Sequence, residues 1–192
     1  MTVNLFRVNV LVICAAVLQA AAPPNGADPP VLDATANPEA YEIYAVSLAQ
    51  RWYWPRWGPE TLLVRQETVT GISCGEPPFR QTGEWAEVER DFQQQNTVQR
   101  LLQHALPSNF QYSFIRRSEI EADNALRQRQ DSKSLLSGPG PIRFVAVSSV
   151  GFNRDRTKAM VSVHPGGGFS IEKWELKDGK WQRAGTVCTV DY

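Results

Sequence analysis

From residue 38 onward, apolar positions recur at spacings of three and four. Tyr41, Tyr44, Ala45, Leu48 and Trp52 form one stripe, the pattern of an amphipathic helix facing a core. Asn37 is placed to cap that helix, Pro38 suits its first position, and Pro55 and Gly58 end it. "TLLVRQETV", 61–69, predicts a strand, and "GISCGEPPFRQTG" a loop. Two helical patterns follow. Trp85, Val88 and Phe92 share a face in "EWAEVERDFQQQN", and Leu101, Leu102, Ala105 and Leu106 do so in "TVQRLLQHAL" before Pro107 stops the run. "FQYSFI", 110–115, alternates Phe110, Tyr112 and Phe114 as a half-buried strand does. Ser118 and Glu121 form a capping box for a polar helix in "EIEADNALRQRQ".

The remainder carries a period of two. Ile142, Phe144, Ala146, Val150 and Phe152 predict one strand, and Ala159, Val161 and Val163, set against Lys158 and Ser162, a second. "NRDR" between them is turn chemistry, with Asp155 expected to cap local backbone. "HPGGG" turns the chain again. "FSIEKWEL" and "WQRAGTVCTV" flank "KDGK", whose Asp-Gly is a strong hairpin signal. These runs predict a fold of the α+β class. It is an antiparallel four- to five-stranded meander with N-terminal and central helices packed on one face.

The start of the chain changes the compartment. Arg7 is the only charge in the first 22 residues, "VNVLVICAAVL" is apolar, and the small residues "QAAA" follow. That is the order of a secretory signal peptide, and the apolar run is shorter than the ~20 residues a membrane span needs. Cleavage is expected after Ala20 or Ala22, with acylation of Cys14 as the lipoprotein alternative. Residues 1–22 are therefore expected as signal peptide, 23–37 as a proline-rich linker and 38–192 as a single α+β domain.

Charge and cysteine count narrow the partners. The full chain has 20 basic and 20 acidic residues. Loss of Arg7 leaves it near neutral, with no electrostatic case for nucleic acid or anionic lipid. Nothing else in the mature chain is long and apolar enough to cross a membrane. The two cysteines left after cleavage, Cys74 and Cys188, are expected to form a disulfide in an oxidising compartment. With no C-x-x-C and only two histidines, His104 and His164, neither a metal site nor a cofactor is expected.

"SSVGFNRDRTKAMVSV", a glycine-rich turn and "FSIEKWELKDGKW" resemble the C-terminal half of a family of small secreted bacterial proteins. That family reads S-x-V-G-F-N-x-D-x-T-x-A-L-V-x-V and then a strand ending K-x-G-K-W. Its "YxxYxxxL" helix and the strand that follows match here as well. The family has no assigned activity, so the resemblance implies a fold and an exported location. Relatives carry a Cys-Gly-x-x-Cys-Gly element where this chain has "HPGGGF", and any metal, redox or disulfide role of that element is absent here. The K-x-G-K-W hairpin is also similar to the last strands of the NTF2-like superfamily.

"RWYWPRW", 51–57, is the most suggestive stretch. Trp54, Trp57 and Arg56 are its candidate ligand contacts, a surface for stacking sugar rings and binding carboxylates. The alternative is structural, with Trp52 on the buried stripe and the tryptophans sealing a corner. A Ser-His-Asp reading would use His164 with Asp155 and Ser162 or Ser170, but no G-x-S-x-G elbow or oxyanion hole accompanies it. "HPGGGF" lacks the G-K-[ST] ending of a phosphate loop. Glu172 and Glu175 fall on opposite faces of a strand and read as solvated charges.

These features predict an exported, non-catalytic binding or structural protein with no catalytic residues, taking a small molecule, a glycan or a protein as partner. One alternative is a cell-envelope or carbohydrate-acting enzyme with its site between sheet and first helix. The other is an inhibitor-like interaction module using the aromatic corner 51–57.

Overall fold

The computed structural model describes residues 28–52, 61–75, 80–108, 110–128 and 144–191, without the side chains of 51, 52, 127 and 128. Of the aromatic corner, residues 53–57, with Trp54, Arg56 and Trp57, and the side chains of 51 and 52 lie outside the described residues.

The chain begins its described course with β1 (Val31–Leu32), α1 (Pro38–Trp52) and β2 (Leu62–Arg65). Next come α2 (Glu84–Gln95), β3 (Leu101–Leu102), β4 (Tyr112–Ile115) and α3 (Arg117–Gln128). The C-terminal part holds β5 (Ala146–Val147), β6 (Gly151–Phe152), β7 (Lys158–His164), β8 (Gly168–Lys177) and β9 (Lys180–Asp191). The fold is α+β, and its main sheet is the expected antiparallel meander. Its order is β5-β7-β8-β9, with β6 also on β7. The β8–β9 hairpin turns at Asp178 and Gly179, both at positive φ (51° and 71°), with Lys177 opposite Lys180. That is the backbone an Asp-Gly pair favours in a two-residue hairpin.

Alternation along β7 sorts the two cores. Ala159, Val161 and Val163 join Tyr41, Tyr44 and Leu48 of α1, Trp174 and Trp181 in one cluster. Met160 joins Val88 and Phe92 of α2, with Phe169 and Ile171, in another. Side chains at successive strand positions point to opposite faces. The helices, expected on one face, therefore divide between the two. Both faces being covered, β7 is buried through Ser162 and carries no solvent stripe.

Two expected elements differ. "TVQRLLQHAL" is not a helix, because its leucines are a strand. Leu101 donates to Pro30 O (2.9 Å), Leu102 donates to Gln66 O (2.9 Å), and β3 pairs in parallel with β1. Satisfying these backbone groups across the fold outweighs a local helical spacing. The expected linker consequently enters the fold by Pro30. Leu32 is buried and its carbonyl accepts the Tyr41 hydroxyl (2.8 Å).

Capping also departs from expectation. The Asn37 side chain donates to Asp33 O (3.1 Å), and only its carbonyl serves the first turn of α1. α3 starts at Arg117, ahead of the expected Ser118 cap. The buried Glu67 accepts from Arg117 N (3.0 Å), and Glu119 accepts from Arg116 N (2.7 Å). Carboxylates there satisfy orphan donors and oppose the positive end of the helix dipole.

β2 pairs in parallel with β4. Its free edge joins the main sheet, with Val145 donating to Leu63 O (2.9 Å) and Arg65 to Val145 O (2.8 Å). α1 is tied into this junction by two buried phenols. Tyr44 donates to Ser148 O (3.0 Å), and the Tyr41 oxygen accepts from Gln103 N (2.7 Å). Burial raises both phenols above their ordinary range, Tyr44 the further.

A stability slope follows. Below about pH 10 the tyrosines are neutral in both folded and unfolded chains. Above it the unfolded chain ionises while these two phenols stay protonated, so the folded state binds more protons and stability falls. The expected decline is about 1.4 kcal/mol per pH unit for each phenol. Urea midpoints at about pH 8 and about pH 11 measure it. A flat profile would mean the phenols are not shielded.

Candidate functional site

At the edge of the α1-side core, a cleft of about 480 Å³ opens between the start of α1, one face of α2 and the β6–β7 turn. Local sequence sets its walls. α2 places Val88 and Phe92 in the core beneath, and the next positions around the helix, Arg90, Asp91 and Gln94, line the cleft. Asp91 holds this wall in place, accepting from Phe152 N (2.7 Å) and from Gln95 Nε2 (3.2 Å). Asn96 fixes the end of the helix. Its amide nitrogen donates to Phe92 O (2.7 Å) and Ser149 O (3.1 Å), while its oxygen accepts from Ser149 N (2.9 Å). Gly151 lets α2 lie directly on β6, since a Cβ there would sit 2.2 Å from Phe92 N.

The opposite wall is the turn "NRDR". Asn153, not the exposed Asp155, caps it, accepting from Thr157 N (2.9 Å) and Lys158 N (2.8 Å). A carbonyl side chain four and five residues upstream of the two donors reaches both, which fixes the loop. Arg156, at φ 52°, lays its guanidinium over Phe152 (4.2 Å to the ring centroid) and pairs with Glu39 (3.0 Å).

Four arginines, Arg90, Arg100, Arg154 and Arg156, line the cleft against two carboxylates, Glu87 and Asp91. Asp91 is committed to the backbone of β6, and Arg156 is neutralised by Glu39. Among the described residues, no carboxylate pairs with Arg90, Arg100 or Arg154. The Arg100 backbone is pinned by Thr68, whose Oγ1 accepts its N–H (2.9 Å), and its side chain is half-buried. Its Nε and that of Arg156 are shielded from solvent and have no hydrogen-bond partner among the described residues. Arg100 also acts on the core, where its charge opposes the rise that burial imposes on the Tyr44 phenol. The floor between the arginines is apolar, made by Leu32, Ala40, Val150 and Phe152. A chain with 20 basic and 20 acidic residues thus gathers local positive charge over an apolar floor.

The residues singled out by sequence fare differently. Cys74 and Cys188 form the expected disulfide, with Cα atoms 6.0 Å apart. It lies on the α2 side of the sheet, against the cluster of Met160, Phe169 and Ile171. His164 Nε2 lies 2.9 Å from Ser162 Oγ, but Ser162 is fully buried and Asp155 sits beyond the other end of β7. At strand rise that is roughly 20 Å away, so no triad assembles. Ser170 faces Val163 across the β7–β8 ladder.

Glu172 is buried and pairs with Arg183 (3.3 Å), contrary to its expected solvation. In the β7–β8 ladder it stands opposite Val161, on the face covered by the α1-side cluster. Glu175 bonds Lys177 (2.8 Å), which holds its carboxyl below the ordinary range. His104 is exposed and stacks on Tyr112 (4.8 Å between ring centroids). Among the described residues, no three His, Cys, Asp or Glu side chains gather to hold a metal ion. No described helix is long and apolar enough to cross a membrane. The space between α1 and the sheet is filled by Tyr44, Leu48, Val147, Val161 and Trp174, each fully buried.

None of the cleft arginines is legible as a site in the sequence. Arg154 and Arg156 look like turn residues, and Arg90 and Arg100 stand on separate elements with no motif spacing. The one usable signal was "GFNRDRT", where an asparagine-capped turn displays two arginines. Protein-family models, curated proteins and solved structures all give no match to this chain.

Proposed function

We propose that this is an exported, non-catalytic binding protein whose ligand occupies the arginine-lined cleft between α1, α2 and the β6–β7 turn. The observation that carries the reading is the gathering of Arg90, Arg100 and Arg154 in the lining of a 480 Å³ cleft, none of them paired with a carboxylate among the described residues. Like charges brought together repel, and a bound group with acceptor oxygens offsets that repulsion. The volume falls in the range of small-molecule sites, about 300–1,000 Å³. The leader pattern supports export, and so does the disulfide, since such bonds persist in oxidising compartments.

Two measurements test the reading. The protein recovered outside the cytoplasm should begin between Ala21 and Asp28, and an intact chain in the cytoplasm as the main species would remove the export claim. Amide chemical-shift mapping of a fragment library should cluster perturbations at Ser149, Val150, Phe152 and Gln94. Gln94→Trp, on the exposed rim, should abolish them.

A second reading has its own observation. A shallow groove of about 400 Å³, lined by Leu106, Phe110 and Tyr112, borders Thr61, immediately after the 51–60 segment. Perturbations mapping there, and not to the cleft, would favour an interaction module built on the aromatic corner.

A further inference from the structure

We infer that β4 is a docking edge for an extended peptide strand of a partner protein, one whose side chains alternate between large apolar and small polar. The site shares no lining residue with the arginine cleft, so the inference stands or falls separately from that reading. It also needs nothing from the 51–60 segment.

Three features point to a strand as the occupant. The first is the backbone. Gln111 O accepts from Leu62 N (2.9 Å) and Ile115 O accepts from Gln66 N (3.0 Å), so these positions of β4 turn their backbone groups to β2. Successive residues of a strand direct those groups to opposite sides, and Tyr112 and Phe114 therefore point N–H and C=O away from β2. Among the described residues, no backbone group answers them there. A row of open donors and acceptors is a template for one more strand.

The second is the contrast with other edges. Edge strands are kept from pairing by shortness, charge, proline or bulges. β1 is two residues long. β9 carries Lys180, Arg183 and Asp191 at exposed positions, and its ladder holds two register shifts. β4 has none of these devices. "FQYSFI", 110–115, contains neither charge nor proline, and β4 pairs with β2 in unbroken register.

The third is the surface along the edge. Phe110, Gln111, Tyr112 and Ser113 line the groove of about 400 Å³, together with Leu106 and Ser108. Consecutive residues lie on alternate faces, so the groove follows the strand edge. One face presents the half-buried rings of Phe110, Tyr112 and Phe114, neighbouring centroids 6.2 Å and 5.5 Å apart. The middle ring is fixed, stacked on His104 and accepting from Leu106 N at its hydroxyl (3.1 Å). The other face presents the exposed Gln111 and Ser113. A strand laid along this edge sets apolar side chains beside the rings and polar ones beside Gln111 and Ser113. About five residues, at ~3.3 Å each, cover it.

The probe is a capped, lysine-flanked peptide of alternating phenylalanine and threonine, added to the disulfide-intact protein at low salt. Amide hydrogen exchange reads the backbone. In the free protein, the Tyr112 and Phe114 amides should exchange fast, and those of Ser113 and Ile115, which face β2, slowly. Bound peptide should slow Tyr112 and Phe114 ten-fold or more. Methylating the peptide's phenylalanine amides blocks an antiparallel addition, and methylating its threonine amides a parallel one. One of the two should weaken binding about ten-fold. Replacing its phenylalanines by serine should do the same. Ser113→Lys and Ser113→Glu change an exposed side chain beside the docked strand. They should bind the lysine-flanked peptide several-fold more weakly and several-fold more tightly than wild type.

Slow exchange of Tyr112 and Phe114 in dilute free protein would overturn the inference, because the edge would already be covered. Protection that grows with protein concentration and needs no peptide would assign the edge to a second copy and overturn the peptide. Perturbation of Leu106 and Tyr112 with their exchange unchanged and both methylated peptides binding equally would mean ring contact without strand pairing, and would overturn it too. So would no response to the peptide at all, an outcome that leaves fragment mapping at Val150 and Phe152 to decide the cleft independently.

Discussion

Replacing Cys74 and Cys188 together by alanine is expected to lower the unfolding free energy by up to about 4–5 kcal/mol, the largest effect of any side-chain change outside the core. The two residues are 114 apart in sequence. The bond therefore removes the freedom of a very long loop from the unfolded chain, a term that grows with the logarithm of loop length. Within the folded state it ties the segment after β2 to the last strand. Cys74 and Cys188 pack with Ile72, Val187 and Val190 against the cluster under α2. Without the bond, the end of β9 is held by its ladder with β8 and by the packing of Val187 and Val190. Urea unfolding of the double variant, and of wild type with and without reductant, measures the loss at unchanged native spectra. A loss below about 1 kcal/mol would show that apolar packing alone secures the loop.

Gly151→Ala is expected to cost more than about 3 kcal/mol, although it adds a single methyl group. The new Cβ would lie 2.2 Å from Phe92 N and 2.3 Å from its Cα. These are backbone atoms in the middle of a helix, so no side-chain rotation relieves the clash. α2 would have to lift from β6, at the ~1–3 kcal/mol typical of overpacking or above. Lifting it also breaks the bond from Phe152 N to Asp91 and strains the three-bond clamp of Asn96. The loss should therefore reach the ligand cleft, whose wall is the same helix. Gly167→Ala is the control. Nothing lies within 4 Å of a Cβ at that position, and its expected effect is within about 0.5 kcal/mol. Equal stability of the two variants would mean that α2 does not rest on β6 as described.

The difference between those two glycines shows where sequence reading stops. Both occur in stretches that look like turn or strand ends, "SSVGF" and "HPGGGF". Only the position of Phe92, some sixty residues earlier, makes one of them irreplaceable. The same holds for Leu101 and Leu102. Their spacing matches a helix, and their partners at Pro30 and Gln66 lie far away in the chain. Glu172 and Glu175 alternate as predicted, yet one is buried and the other is not. What covers the sheet decides that, and the strand's own pattern does not.

By itself the sequence determined the elements whose cause is local. The α1 stripe, the Val88–Phe92 face of α2, the alternation in β4 and β7 and the Asp178-Gly179 hairpin each follow from side-chain period or backbone preference within a few residues. The disulfide pair was legible as well, through the expectation that a leader carrying Cys14 is removed and two cysteines are left. Tertiary structure alone decided the division of the helices between two faces, the parallel β1–β3 and β2–β4 pairings, and the Asn153 cap. It alone brought Arg90, Arg100, Arg154 and Arg156 around one apolar floor. Each of these depends on which distant surface a segment buries against, a choice set by the summed burial and hydrogen bonding of the whole chain, and local spacing carries no term for it.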